Sequence, residues 1–468
     1  MENPFEDEEE AFDLAAVEAR HEEMEGDNGS YPESDWEAIV EAVLFTMGNS
    51  VELRQLAIAI GQSEKVAWRV TKNLQKRYRD DKNILMCIAA IIILIFFIPY
   101  TASGFKAVGT LFSSLFGVDY HLAMLLGALV IVGYTVMGGF LAVSTTDLIQ
   151  SIVMTIALIV IVFFGIHVAG GWSAVAENAR SLDGYLSLSF LHDRASGTAV
   201  PYGTLNMFSM CAWGLGYFGM PHILLRFMAI REEKEIAISR RIASVWVVIS
   251  MFVAILIGII GYGASIAGKI PLFVSSSESE TTIIQLAGLL GQYGFLASVV
   301  AGIVLAGILA CTMSTADSQL LTAASGVSQN LLQDFCKIKL SEKASMMAAR
   351  LTVAAIALVS LVLAWDPDSS VFHIVSFAWA GFGASFGPVV LTALFWKRSN
   401  FQGALAGLLS GGIMVFVWKY LVKPLGGAWN IYELLPAFLV ALVAIVIVSL
   451  ATKAPSEEIV KEFENVRR

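Results

Sequence analysis

The 468-residue chain is short of charge, of cysteine and of the residue patterns that enzymes use. Charged residues make up 15% against 56% hydrophobic, with a mean hydropathy of +0.70. A soluble globular domain carries about 25% charged residues, so a soluble fold is excluded for most of the length. The four cysteines, Cys87, Cys211, Cys311 and Cys336, form no CxxC pair and three lie in apolar stretches, which argues against a disulfide frame or a zinc site. No basic n-region opens the chain, so membrane insertion falls to internal spans. No nucleophile–base pair, phosphate loop or metal-ligand spacing occurs, and no enzyme is expected. The net charge of −10 is local: residues 1–35 hold a dense acidic cluster with Arg20 as their only Lys or Arg, and the rest is close to neutral. Nothing in that balance points to a nucleic-acid partner.

What is there falls into three parts. Residues 1–34 are acidic and polar, with too little apolar surface to offset the entropy of ordering, and a disordered tail is expected. Residues 35–80 read as a small helical unit. Asp35 can cap "WEAIVEAVLFTM", Gly61 can stop "VELRQLAIAIG" with Leu53, Leu56, Ala57 and Ile60 on one face, and Ser63 can cap "EKVAWRVTKNLQKRY". Arg69, Lys72, Lys76 and Arg77 along the last helix allow a DNA-binding reading. The solvated basic face of a protein-interaction module is the preferred one. The string "EAIVEAVLFTMGNSVELRQLAIAIG" resembles the winged-helix domain of bacterial segregation and condensation protein B, which implies a protein partner for this unit.

From Ile84 onward, apolar stretches of bilayer-spanning length recur. Ten are read: 84–104, 121–142, 147–169, 204–222, 243–268, 294–322, 347–365, 370–396, 402–422 and 432–451. Arg226, Arg231, Lys234, Arg240 and Arg241 follow the fourth; Lys337, Lys339 and Lys343 follow the sixth; Lys397 and Arg398 follow the eighth. The alternate loops are poor in both residue types, so the positive-inside rule places both termini in the cytoplasm. The fold class expected is therefore all-α and polytopic, in a lipid bilayer.

Four stretches within the spans stand out. "ILACTMSTADSQLL" puts Ser314, Thr315, Asp317 and Ser318 in an apolar span. A lone hydroxyl there usually bonds back to its own helix, but a cluster with an acid suits a hard cation. "CAWGLGYFGMPHILLRFM" groups Gly214, Gly216 and Gly219 before Pro221, the composition of a breakable helix, with Trp213 and Tyr217 four apart. An interfacial aromatic belt with glycine packing accounts for it equally well. In "GYTVMGGFLAVSTTDLIQ", Gly138 and Gly139 allow close approach or a break, and Asp147 caps the next span or lies on an ion path. "SFAWAGFGASFGPVVLTALFWKRSN" carries small residues along one face, which helix packing explains.

Together with "NFQGALAGLLSGG", these strings resemble the sodium:solute symporter family, and within it the proline-carrying branch, in family order from about Asp81 to the end. The resemblance implies a LeuT-type inverted-repeat fold in a bacterial cytoplasmic membrane and symport of a small amino acid, proline, with Na+ by alternating access. It implies Ser314, Thr315 and the carbonyl of Cys311 as sodium ligands, Asp147 on the sodium path, Trp213, Tyr217 and Pro221 on the broken helix at the solute site, and Tyr134 as a further solute contact. Met220 stands where close proline carriers have a polar residue. The family pattern has three more spans before Ile84, so the fold is expected to be incomplete. Two other readings stay open: a membrane-tethered chromosome-segregation interaction module, and a fusion of two gene fragments joined near 78–84.

Overall fold

The computed structural model describes residues 36, 40, 53–79, 82–228, 230, 233–338 and 340–466. The acidic tail, most of the Asp35-capped helix and the junction at Asp80 and Asp81 lie outside the described residues, as do the side chains of Lys72, Lys76 and Arg77. The chain divides into two compact units, Met1–Ile84 and Leu85–Arg468.

In the first unit, helices α1 (Leu53–Ala59) and α2 (Glu64–Arg79) meet at Gly61, whose φ of +63° is a left-handed conformation that favours glycine. Leu56, Ala57 and Ile60 close on Ala67, Val70 and Val40 as a small core of their own.

The second unit is a helical bundle. Helix α3 (Lys82–Phe116) runs through Pro99, and Ser103 and Ser360 hydroxyls bond the carbonyls of Tyr100 and Ile98 beside it. Helix α4 (Tyr120–Val168) is followed by α5 (Trp172–Ser181) and a hairpin of strands β1 (Phe190–Asp193) and β2 (Thr198–Pro201). A broken segment then comprises α6 (Thr204–Cys211), a 3₁₀ turn (Ala212–Gly219) and α7 (Pro221–Met228). The remaining α-helices longer than one turn are α8 (Glu233–Ile266), α9 (Thr282–Leu290), α10 (Phe295–Ser325), α11 (Glu342–Leu363), α12 (Val371–Phe395), α13 (Phe401–Val417), α14 (Leu434–Ala451) and α15 (Glu457–Val466).

Among the described residues, nine helical stretches are long and apolar enough to cross a membrane. The chain is a multi-pass membrane protein. The stretch missing from the ten expected spans is 204–222. Its glycines and Pro221 interrupt the α-helix, so no continuous run reaches spanning length.

Helix α4 has 49 residues, which laid straight would reach about 74 Å, far beyond a hydrocarbon core of about 30 Å. It does not run straight. Val130 and Ile131 share an apolar cavity with Leu309 and Met313 of α10, while Ala157 and Val153 fill the space beside Gly307 on that same helix. A straight helix would hold Ile131 and Ala157 about 39 Å apart. Instead both lie against neighbouring turns of α10, so α4 folds back between Tyr134 and Asp147 and supplies two antiparallel spans. Those correspond to the expected 121–142 and 147–169.

The all-α expectation needs one amendment, the β1–β2 hairpin. Its strands pair antiparallel from Phe190↔Pro201 to Asp193↔Thr198. The turn is built by Asp193, whose carboxylate accepts from the amides of Ala195 and Ser196 and from the Ser196 hydroxyl, and by Gly197 at φ +67°.

Candidate functional site

The broken segment owes its shape to two glycines and one proline. Pro221 supplies no amide hydrogen and drives Met220 to extended dihedrals (φ −78°, ψ 110°), so the 3₁₀ turn cannot run on into α7. At Gly216 a Cβ would come under 3.0 Å of the Trp379 indole, and at Gly219 it would meet the backbone of Phe382 and Gly387. The turn therefore lies directly on α12. Trp379 Nε1 donates to the Trp213 carbonyl at 2.9 Å, satisfying a backbone group within the interrupted segment. The Trp213 ring lies nearly parallel to Trp379, with centroids 5.4 Å apart, and Tyr217 meets Trp379 edge-on at 4.8 Å.

On α10, Ser314 Oγ and Thr315 Oγ1 each donate to the Cys311 carbonyl, both at 3.1 Å. The spacing i, i+3, i+4 puts three uncharged oxygens close together on one helix, and among the described residues the hydroxyl oxygens accept no hydrogen bond. Cys311 and Thr315 line a cavity of about 210 Å³ with Tyr100, Ser103 and Gly104 of α3 and Gln319. Gln319 is fully buried; its Oε1 accepts from Thr101 Oγ1 at 3.3 Å, while its Nε2 has no partner among the described residues. Oxygen donors without net charge suit a monovalent hard cation beside a polar-rimmed cavity.

One turn further along α10 lies a charged network. Asp317, fully buried, accepts from the Tyr134 hydroxyl at 2.8 Å and from the Ser318 amide at 2.6 Å. The Tyr134 hydroxyl also reaches the Met313 carbonyl at 3.1 Å. Arg226, at the end of α7, pairs with Asp147 and donates to Ser318 Oγ at 2.9 Å. The second Asp147 oxygen is buried without a partner among the described residues. The two halves of α4 are thus tied, through Tyr134 and Asp147, to successive residues of α10.

The residues expected at one site therefore separate into groups. Cys311, Ser314 and Thr315 come together. Asp147 is not with them; it belongs with Arg226 and Ser318, about 4.5 Å further along the helix by its rise. Tyr134 joins Asp317. Trp213 and Tyr217 pack on Trp379, and Trp213 lines a different cavity from Cys311. Pro221 starts α7 next to fully buried Met220. Sequence reasoning took Arg226 as a loop charge and passed over Gln319. The pairing of Arg226 spans 79 residues and leaves no local signal, whereas a glutamine in an apolar span is itself a signal.

A family model described as "Sodium:solute symporter family" matches residues 41–411. The chain is 40% identical over 395 residues to the "High-affinity proline transporter PutP" of Bacillus subtilis (strain 168), covering 84% of this chain and 78% of the relative. It is 36% identical over 403 residues to a "Sodium/proline symporter" of Staphylococcus aureus (strain bovine RF122 / ET3-1), covering 84% and 74%. In fold it is similar to a Na+-coupled sialic acid symporter solved in a substrate-bound outward-open state, with a TM-score of 0.60 at 18% identity over 81% of this chain and 76% of that one.

Proposed function

The chain belongs to the sodium:solute symporter family, and on that premise we propose that it carries proline across the membrane with Na+ by alternating access. The observation that carries this reading is the meeting of Ser314 Oγ and Thr315 Oγ1 on the Cys311 carbonyl, next to a cavity that Cys311 and Thr315 line together with residues of α3. Sodium held there stabilises one arrangement of α10 against its neighbours, and a solute that prefers the same arrangement binds better when sodium is present. The relatives named for proline transport support the solute.

In this reading Trp213, Tyr217 and Pro221 shape the solute path along the broken segment, with Tyr134 as a further solute contact, and Asp147 lies on the sodium path beyond Thr315. Loop charge supports cytoplasmic termini, so the hairpin end of the bundle faces outward. The closed core around Leu56 and Ala67 supports treating 35–80 as a separate protein-contact unit. Uptake of labelled proline into proteoliposomes tests the function. An inward sodium gradient should drive accumulation and a potassium gradient should not; equal uptake under both would end the reading.

A further inference from the structure

The β1–β2 hairpin borders a cavity that the transport reading leaves unused. It measures about 600 Å³, inside the range of about 300–1,000 Å³ typical of small-molecule sites. Its walls come from the hairpin (His192, and Arg194 just after β1), from the end of α8 and from the start of α9. It shares no lining residue with the cavity at Cys311 and Thr315.

One end of the cavity is polar and rich in donors. Arg194 donates from Nη1 to the Val274 carbonyl at 3.1 Å and from Nη2 to the Phe273 carbonyl at 3.0 Å. Those bonds fix the guanidinium fork while its other N–H groups stay available to a ligand. The Tyr185 and Tyr262 rings stand 6.4 Å apart, and neither hydroxyl bonds to another described residue. His192 Nδ1 lies 2.9 Å from the Asp183 carbonyl. A carbonyl can only accept, so the ring proton sits on Nδ1 and Nε2 is left as an acceptor. The neighbouring carboxylates are engaged elsewhere and do not line the cavity. Asp193 holds its own turn, Asp183 accepts from the Ala199 amide, and Glu278 accepts from the amides of Val274 and Ser275. The polar end is therefore positive, suited to an anion that carries a hydroxyl nearby.

The other end is apolar and open to lipid. Exposed Gly258 lines it, and nothing lies within 4 Å of a Cβ added there. From Gly258 to Ile266 the cavity follows α8 for about 12 Å along the helix axis. Helix α8 is the least buried of the nine candidate spans, with Phe252, Ile255 and Ile266 exposed. The span ends at Ile266, so the donors lie at the depth where a bilayer carries its headgroups.

We propose that this cavity binds the headgroup of a glycerophospholipid of the phosphatidylglycerol type. The phosphate sits on Arg194 and the two tyrosine hydroxyls, a headgroup hydroxyl donates to His192 Nε2, and an acyl chain runs along α8 past Gly258. A soluble phosphate ester meets the same donors but leaves the apolar end unfilled. Lipid bound there ties the hairpin to α8 and α9, and it requires neither sodium nor a transported solute.

Isothermal titration calorimetry of the purified full chain in an uncharged detergent, with dioctanoyl phosphatidylglycerol as titrant, tests the site. The lipid should bind saturably in sodium-free buffer. Glycerol phosphate, which lacks the chains, and dioctanoylglycerol, which lacks the phosphate, should each bind about tenfold more weakly or worse. Arg194→Gln should weaken lipid binding about tenfold or more. That substitution also releases the hairpin from the Phe273 and Val274 carbonyls, so two further variants that break no described hydrogen bond are needed. Tyr262→Phe removes one hydroxyl and Gly258→Leu fills the apolar end; each should lower the affinity about threefold or more with an unchanged melting temperature. Glycerol phosphate binding as tightly as the lipid makes this a soluble-anion site and overturns the proposal. Parental lipid affinity in both Tyr262→Phe and Gly258→Leu overturns it too, as does the absence of saturable binding.

Discussion

Gly216 and Gly214 stand two residues apart in the same 3₁₀ turn, and adding one methyl group to each should have opposite consequences. At Gly214 nothing lies within 4 Å of a new Cβ, so alanine only reduces the freedom of the unfolded chain, a gain of up to about 1 kcal/mol. At Gly216 the Cβ falls within the Trp379 ring, under 3.0 Å from three of its atoms. The indole has nowhere to go. It is 6% exposed, stacked on Trp213, edge-on to Tyr217, and hydrogen-bonded through Nε1 to the Trp213 carbonyl. Overpacking costs about 1–3 kcal/mol, and loss of that bond adds about 1 kcal/mol. Gly216→Ala should therefore lose about 2–4 kcal/mol relative to the parent, a fall in melting temperature on the order of 5 °C. Thermal unfolding in detergent, followed by tryptophan fluorescence, checks the pair. Equal losses for the two substitutions, or a greater loss for Gly214→Ala, would refute the packing of the broken segment on α12.

Four further outcomes follow from the same geometry. Thr315→Ala removes one of three oxygens and should raise the sodium concentration for half-maximal proline uptake about tenfold or more, by analogy with the loss of a metal-site partner; an unchanged sodium curve would remove Thr315 from the ligand set. A double-mutant cycle with Arg226→Gln and Asp147→Asn, read by thermal unfolding, should return a coupling of about 1 kcal/mol, modest because the Arg226 side chain is 47% exposed. Glu280→Gln should destabilise the start of α12 by about 1–3 kcal/mol, because the carboxylate accepts from Ser370 Oγ and from the amides of Val371 and Phe372. The Ser196 hydroxyl and the turn amides of Ala195 and Ser196 hold the Asp193 carboxyl below its ordinary value of 3.8. Its stabilisation of the hairpin is present above that value and is lost as the pH falls through the lowered one, so a carboxyl NMR titration should place its midpoint below 3.8.

What could be read in the sequence was whatever repeats locally. Runs of apolar residues located the spans because a bilayer demands continuous length, and the helix-breaking composition around Gly216 and Pro221 pointed to a segment that is not continuous. The cluster of Ser314, Thr315, Asp317 and Ser318 stood out as polar residues in an apolar span, but only the family resemblance picked out Cys311, Ser314 and Thr315, which the structure brings together on one turn. The hairpin escaped notice because its signal is a single aspartate and glycine in a polar loop. The Tyr134–Asp317 and Asp147–Arg226 contacts span 183 and 79 residues, and no period or spacing encodes such meetings. They depend on how α4 folds back, which is a property of the packed bundle.

That reversal also explains why the chemistry gathers on α10. A helix touched by one span has a single face in use. Helix α10 is touched by both halves of α4, by α7 and by α3, and within one stretch it turns a different residue to each. Thr315 faces the cavity shared with α3, Asp317 reaches Tyr134 in the first half of α4, and Ser318 meets Arg226 of α7, which holds Asp147 in the second half. A shift of α10 about its axis cannot serve one of these contacts without disturbing the others. An ion that fixes the rotation of Ser314 and Thr315 therefore also fixes whether Asp317 and Ser318 stay engaged. On the proposed reading, sodium at Ser314 and Thr315 would be linked to the Asp317 and Ser318 contacts through the position of this one helix.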